Sequence, residues 1–162
     1  MKKLTLKNYY FWGFIGPSGE EILSLQHWLS KLSLHGKESR SRTRFLLLLT
    51  DRIKEIEIER EKMIKENAEK NKEGKIIYLN EKGKETTEPQ AQIKLKKENK
   101  LNEEFGDYLQ EDLVLDVSPA NADTIHLVRD IILNTTQEFK DIMAVRYAKW
   151  CNSFEDIKED KK

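Results

Sequence analysis

Between Ser39 and Asn71 the chain has neither glycine nor proline, and Leu46, Leu49, Ile53, Ile56, Arg60, Met63 and Asn67 keep a three-four alternation throughout. A pattern of that period and length admits one local structure, a long amphipathic helix, because only a 3.6-residue repeat brings those positions onto one stripe. The stripe is apolar in its first half and then admits Arg60 and Asn67. That change predicts a helix that leaves the core and projects outward, with a wet far end. Glu61 with Lys65 and Glu66 with Lys70 stand four apart in the favourable order, each pair worth about 0.3–0.5 kcal/mol. Glu73-Gly74 is the expected stop.

The start of this helix is the most distinctive stretch of the chain. His35-Gly36-Lys37-Glu38-Ser39-Arg40-Ser41-Arg42-Thr43-Arg44 sets Lys37, Arg40, Arg42 and Arg44 against Glu38 alone. Guanidiniums at every second residue cannot share one helical face, so they spread around the first turn. The junction reads either as a site for an anion or acidic partner or as a solvated helix start. The acidic segment Glu103 to Asp116, which holds no basic residue, is the internal partner that would neutralise it.

On the N-terminal side, Leu4-Thr5-Leu6 and the aromatic run Tyr9 to Trp12 read as one or two short strands. Ser18-Gly19-Glu20-Glu21 fits a capping box that opens a short helix carrying Ile22, Leu25, Leu29 and Leu32 inward and ending at Gly36. Beyond the long helix, Lys75 to Leu79 is a β-branched run, Asn80-Glu81-Lys82-Gly83 a turn, Lys84 to Gln92 a loop, and Ile93 to Leu95 a returning strand. Glu98 to Gln110 reads as a helix and Leu113 to Val117 as a strand suited to pair with Leu4-Thr5-Leu6. A final stripe from Ile125 through Val128, Ile132, Phe139, Met143, Tyr147, Trp150, Phe154 and Ile157 predicts a second long helix, starting near Asp123. The tail from Lys158 is expected to fray.

These elements assemble into an α+β, mainly helical fold: two long antiparallel helices, a short helix, a small sheet near the termini and a β-hairpin at the far tip. The 162 residues suit a single elongated domain, with 72–97 as a hairpin insertion and 158–162 as the frayed tail. Lys+Arg and Asp+Glu both total 29, so no global charge draws the chain to nucleic acid or membrane. The longest apolar run, Phe45 to Leu49, is far short of a membrane span. With no adequate apolar stretch after Met1-Lys2-Lys3 and a single cysteine, the expected location is the cytoplasm.

The residue inventory points away from chemistry. His27, His35, His126 and Cys151 are scattered rather than set at ligand spacing, so no metal and no cofactor is expected. Cys151 reads as a packed helical thiol, and Glu55, Glu57, Glu59 and Glu61 alternate around a charged helix instead of converging. Gly16-Pro17-Ser18-Gly19 lacks the lysine of a phosphate loop and is followed by two glutamates. Asp116 with Glu98-Asn99-Lys100 is too common a pattern in so charged a chain to mark a nuclease. No catalytic residue is assigned.

Leu34 to Phe45, with its His35-Gly36-Lys37 and three arginines, together with Ala144-Val145-Arg146-Tyr147-Ala148-Lys149-Trp150-Cys151-Asn152-Ser153-Phe154-Glu155, resembles an uncharacterised family of small phage and prophage proteins of Gram-positive bacteria. The resemblance implies a phage-encoded protein with no assigned activity, acting in the host cytoplasm. The expected function is therefore a non-enzymatic protein-binding module, in its sharpest form a stoichiometric inhibitor of a host defence protein. Its expected surface is Lys37, Arg40, Arg42 and Arg44, or the hairpin at Ile76, Ile77 and Tyr78. Two alternatives stand beside it: a virion or assembly component that self-associates through its long helices, with Arg60 and Asn67 setting register, and nucleic-acid binding through Lys37 to Arg44.

Overall fold

The computed structural model describes residues 2–157, so the tail expected to fray lies outside the described residues. The fold is mainly helical α+β with small antiparallel sheets. In chain order it comprises β1 (Lys3–Lys7), a 3-10 turn (Asn8–Phe11), β2 (Phe14–Ile15), β3 (Glu21–Ile22), α1 (Leu25–Lys31) and α2 (Gly36–Glu66). Then come β4 (Tyr78–Leu79), β5 (Glu85–Thr86), β6 (Gln92–Ile93), α3 (Glu98–Leu109), β7 (Asp112–Asp116), α4 (Ala122–Leu133) and α5 (Asp141–Glu155). The chain divides into two compact units, Met1–Ile53 with Gln110–Lys162, and Lys54–Leu109.

In the first unit, β1 pairs antiparallel with β7, Leu4 opposite Leu115 and Leu6 opposite Leu113, the pairing expected from sequence. Period-two alternation sends Leu4 and Leu6 into the core. Lys3 faces Asp116 and Lys7 faces Asp112 on the other side, the latter closing an ion pair at 2.7 Å. The core is completed by Leu25, Trp28 and Leu29 of α1, Phe45 and Leu49 of α2, Ile125, Val128 and Ile132 of α4, and Trp150 and Phe154 of α5. Trp28 is its aromatic centre, with Trp150 at 5.7 Å, Phe139 at 6.0 Å and Tyr147 at 6.2 Å between ring centroids.

Four expectations for this unit are corrected. The second long helix is two helices, α4 and α5, because the stripe has only Thr135 and Thr136 where its next apolar position falls. Asn134 ends the first helix, its backbone and side-chain amides both donating to the Asp130 carbonyl. Tyr9 to Phe11 belong to a 3-10 turn rather than a strand, and Trp12 follows it in extended backbone. Ser18 does not cap a helix: its amide donates to the Glu20 carboxylate inside the turn joining β2 to β3, and Ser24, accepting from the His27 amide, caps α1 instead. Gly36 does not end α1, which stops at Lys31, but opens α2.

In the second unit, the final turns of α2 lead to Asn67, which is buried rather than wet. Its side-chain amide donates to the Met63 carbonyl and to Glu104 of α3. The helix thus stops before Gly74, because Ala68 already bridges Leu95. The expected hairpin is a three-stranded sheet in the order β5-β4-β6, with β5 formed from residues assigned to a loop. Two turns of one pattern shape it. Asn71 and Asn80 each accept from amides two and four residues on, and Gly74 and Gly83 follow with φ of 79° and 72°. That left-handed backbone suits glycine alone among common residues. Lys94 holds the sheet by bridging Glu69 and Glu85.

Candidate functional site

The arginine junction separates into two opposed faces. Arg42 points inward: its Nη1 donates to the carbonyls of Leu29 at 3.3 Å and Leu32 at 2.5 Å, and Nη2 to Ser39 Oγ at 3.4 Å. A helix of seven residues leaves its last carbonyls without intrahelical partners. Arg42 satisfies them from the next helix and places a positive charge at the negative end of the α1 dipole. Its side is also the side of Ser41, Phe45 and Leu49, all buried.

Lys37, Arg40 and Arg44 share the opposite face of α2 at intervals of three and four, and all three are exposed. The same face continues into Leu47, 68 % exposed, and Leu48, 39 % exposed. Among the described residues no carboxylate lies within ion-pair distance of these three cations. Two carboxylates of the acidic segment are engaged elsewhere: Asp112 pairs with Lys7, while Glu104 accepts from Asn67 and lies 3.6 Å from Lys100. The arrangement is a cationic patch running into exposed leucines on one rigid helix, suited to a carboxylate-bearing amphipathic surface.

Ile76, Ile77 and Tyr78, the other expected partner surface, are half-buried. Ile76 bridges Lys70, the Ile77 amide donates to the Glu69 carbonyl, and Tyr78 stands in the central strand opposite both Thr86 and Ile93. The structure therefore keeps Lys37, Arg40 and Arg44 together and places Arg42 and Ile76 to Tyr78 in the framework.

One buried cation escaped the sequence reading. Arg146 is 6 % exposed; its Nη1 donates to the carbonyls of Trp12 at 2.5 Å and Leu23 at 3.2 Å. Its Cζ lies 5.7 Å from the Tyr9 ring centroid and 5.2 Å from that of Phe14. Burial pulls its pKa below the usual arginine value, opposed by the Tyr9 hydroxyl. The guanidinium pins the base of the β2–β3 hairpin to α5. The signal was available, since Arg146 lies three residues after Met143 and four before Trp150, both on the core stripe.

The remaining titratable groups do not converge. Cys151 is half-buried beside Tyr147, and His27, His35 and His126 lie on α1, the following linker and α4. Among the described residues no three His, Cys, Asp or Glu side chains group to hold a metal ion, and no helix is long and apolar enough to cross a membrane. Comparison with protein-family models, curated proteins and solved structures finds no match.

Proposed function

We propose that this protein is a non-enzymatic binding module that engages an acidic segment of a partner protein stoichiometrically, through the Lys37, Arg40, Arg44 and Leu47 face of α2. The observation that carries this reading is the division of labour among the arginines. Arg42 is consumed in capping α1, whereas Lys37, Arg40 and Arg44 stand exposed together and run into a leucine that is 68 % exposed. Isolated exposed leucines are ordinary, but a leucine continuous with a cation row on a rigid helix is the composition of a docking surface. The resemblance to phage proteins favours a host protein as the partner.

The test is capture from host lysate on immobilised wild-type protein and on the doubly reversed variant Arg40→Glu/Arg44→Glu, with circular dichroism to verify the fold. A retained protein should lose at least about tenfold in affinity on the variant, as two reversed interfacial charges warrant. Equal retention on both would remove the α2 face from consideration. Retention abolished by nuclease would identify nucleic acid as the ligand.

A further inference from the structure

We propose a second interaction surface, independent of the α2 face: the open edge of β6 receives an extended peptide in which apolar residues alternate with acidic ones. In the order β5-β4-β6 this strand is terminal. Its register sets Gln92 opposite Leu79 and Ile93 opposite Tyr78. The Lys94 amide donates to the Ile77 carbonyl, and the Lys96 amide to that of Asn67. Residues 92, 94 and 96 therefore spend their backbone groups on one side. Because such groups alternate along an extended strand, the N–H and C=O of Ile93 and Leu95 turn to the other side.

A groove of ≈ 530 Å³ adjoins this strand. Ile93 and Leu95 line it together with Ile64 and Lys65 of α2 and the buried Leu101. An unpaired strand edge beside apolar side chains is the setting of strand addition, in which backbone bonds give affinity and alternate side chains give specificity.

Charge selects the occupant. Lys65 lines the groove beside Glu61, as does Arg60, whose Cζ lies 5.9 Å from the Phe105 ring centroid. Lys65 has no carboxylate within ion-pair distance among the described residues, so the pair expected between Glu61 and Lys65 is not formed. Lys96 and Lys97 follow Leu95 and are exposed. An acidic side chain flanking the apolar ones of an added strand meets this surplus at the rim, where complementarity sets partner choice.

The experiment uses the full chain and a fluorescein-labelled, end-capped hexapeptide of alternating valine and glutamate, followed by fluorescence anisotropy. Three companions serve as controls: the peptide with alternate amides N-methylated in each of the two phases, its valine-lysine counterpart, and the protein variants Ile93→Pro and Lys65→Glu. The valine-glutamate peptide should bind saturably, and one N-methylated phase should lose at least about tenfold in affinity while the other keeps it, because added strands bond through every second residue. Ile93→Pro, which removes an outward N–H on the terminal strand, where proline is tolerated, should weaken binding with the circular dichroism spectrum unchanged. Lys65→Glu should reverse the preference toward the valine-lysine peptide. Absence of saturable binding, or binding indifferent to N-methylation in both phases, overturns the proposal without any appeal to a protein variant. A concentration-dependent dimer in sedimentation velocity that Ile93→Pro dissolves would give the edge to a second copy of the chain and equally overturn it.

Discussion

Arg42 on α2 donates to the main-chain carbonyl of Leu32 at 2.5 Å, so the residue that terminates α1 is held by a side chain ten positions later in sequence. With the Leu29 carbonyl also accepting from it, one guanidinium fixes the corner between the two helices. Arg42→Ala leaves both carbonyls without that donor, and a loss of about 2 kcal/mol is expected from the charged hydrogen bonds. Arg40→Ala and Arg44→Ala should stay within about 0.5 kcal/mol of wild type, as exposed positions do. Urea denaturation of the three variants checks this; coincident midpoints would refute the division of the arginines into framework and surface.

The Trp28 indole donates its Nε1–H to Gln137 Oε1 at 2.8 Å, tying the loop between α4 and α5 to the core. Gln137→Ala removes the acceptor but not the packing, and a cost of about 1–3 kcal/mol follows if the indole N–H finds no replacement. Trp28→Ala removes the aromatic centre as well, and about 3–5 kcal/mol is expected. Thermal melts that ranked Gln137→Ala as the worse of the two would contradict this picture.

Tyr147 donates its hydroxyl to the Ile132 carbonyl at 2.6 Å. Burial, reinforced by Cys151, raises its pKa above the ordinary 10.0. The folded protein thus keeps a proton that the unfolded chain has already released. Between the ordinary value and the raised one the unfolded state binds fewer protons, so stability falls as pH rises; below 10 the contribution is fully present. Tyr147→Phe, though less stable near neutral pH, should show a shallower alkaline decline. Urea midpoints measured from about pH 9 to pH 11 on both proteins give the comparison, and parallel curves would count against the assignment.

In the second unit, Gly83 has φ of 72° and Asn80 accepts from the amides of Lys82 and Lys84. Gly83→Ala forces a β-carbon into left-handed backbone at a cost of about 1–2 kcal/mol, and Asn80→Ala removes two acceptor contacts from the same turn. Hydrogen exchange at the β4 and β5 amides should quicken in both variants while the amides of β1 and β7 keep their protection. Uniform quickening throughout the chain would show instead that the two units unfold as one.

Periodicity made much of this fold legible. The long helix, the pairing of Leu4-Thr5-Leu6 with β7, the turn at Asn80 to Gly83 and α3 could each be read from spacing and turn chemistry, which act over a few residues. The errors arose where two local signals competed. Ser18 and Ser24 are both plausible caps, and only the pairing of Phe14 with Ile22 decides between them. Phe139 continues the apolar stripe of α4 by count, yet Asn134 ends the helix first. The recurrence of Asn-x-x-Gly-Lys at Asn71 and Asn80 went unread because Gly74 looked like a helix stop. At the candidate surface, the four cations were visible as a cluster, but their division needed the free carbonyls of α1, which no local pattern displays.

Arg52 of α2 donates to the Asp112 carbonyl at the start of β7 at 2.9 Å, and Lys7 grips both the Gln110 carbonyl and the Asp112 carboxylate. These bonds lie where the chain departs for the second unit and where it returns. The intervening segment is therefore a cassette whose two ends are already fastened within the first unit. Replacing residues 54–109 with a short glycine-serine linker should leave β1 paired with β7 and the α2 face intact, which makes the two proposed surfaces separable by construction rather than by point mutation.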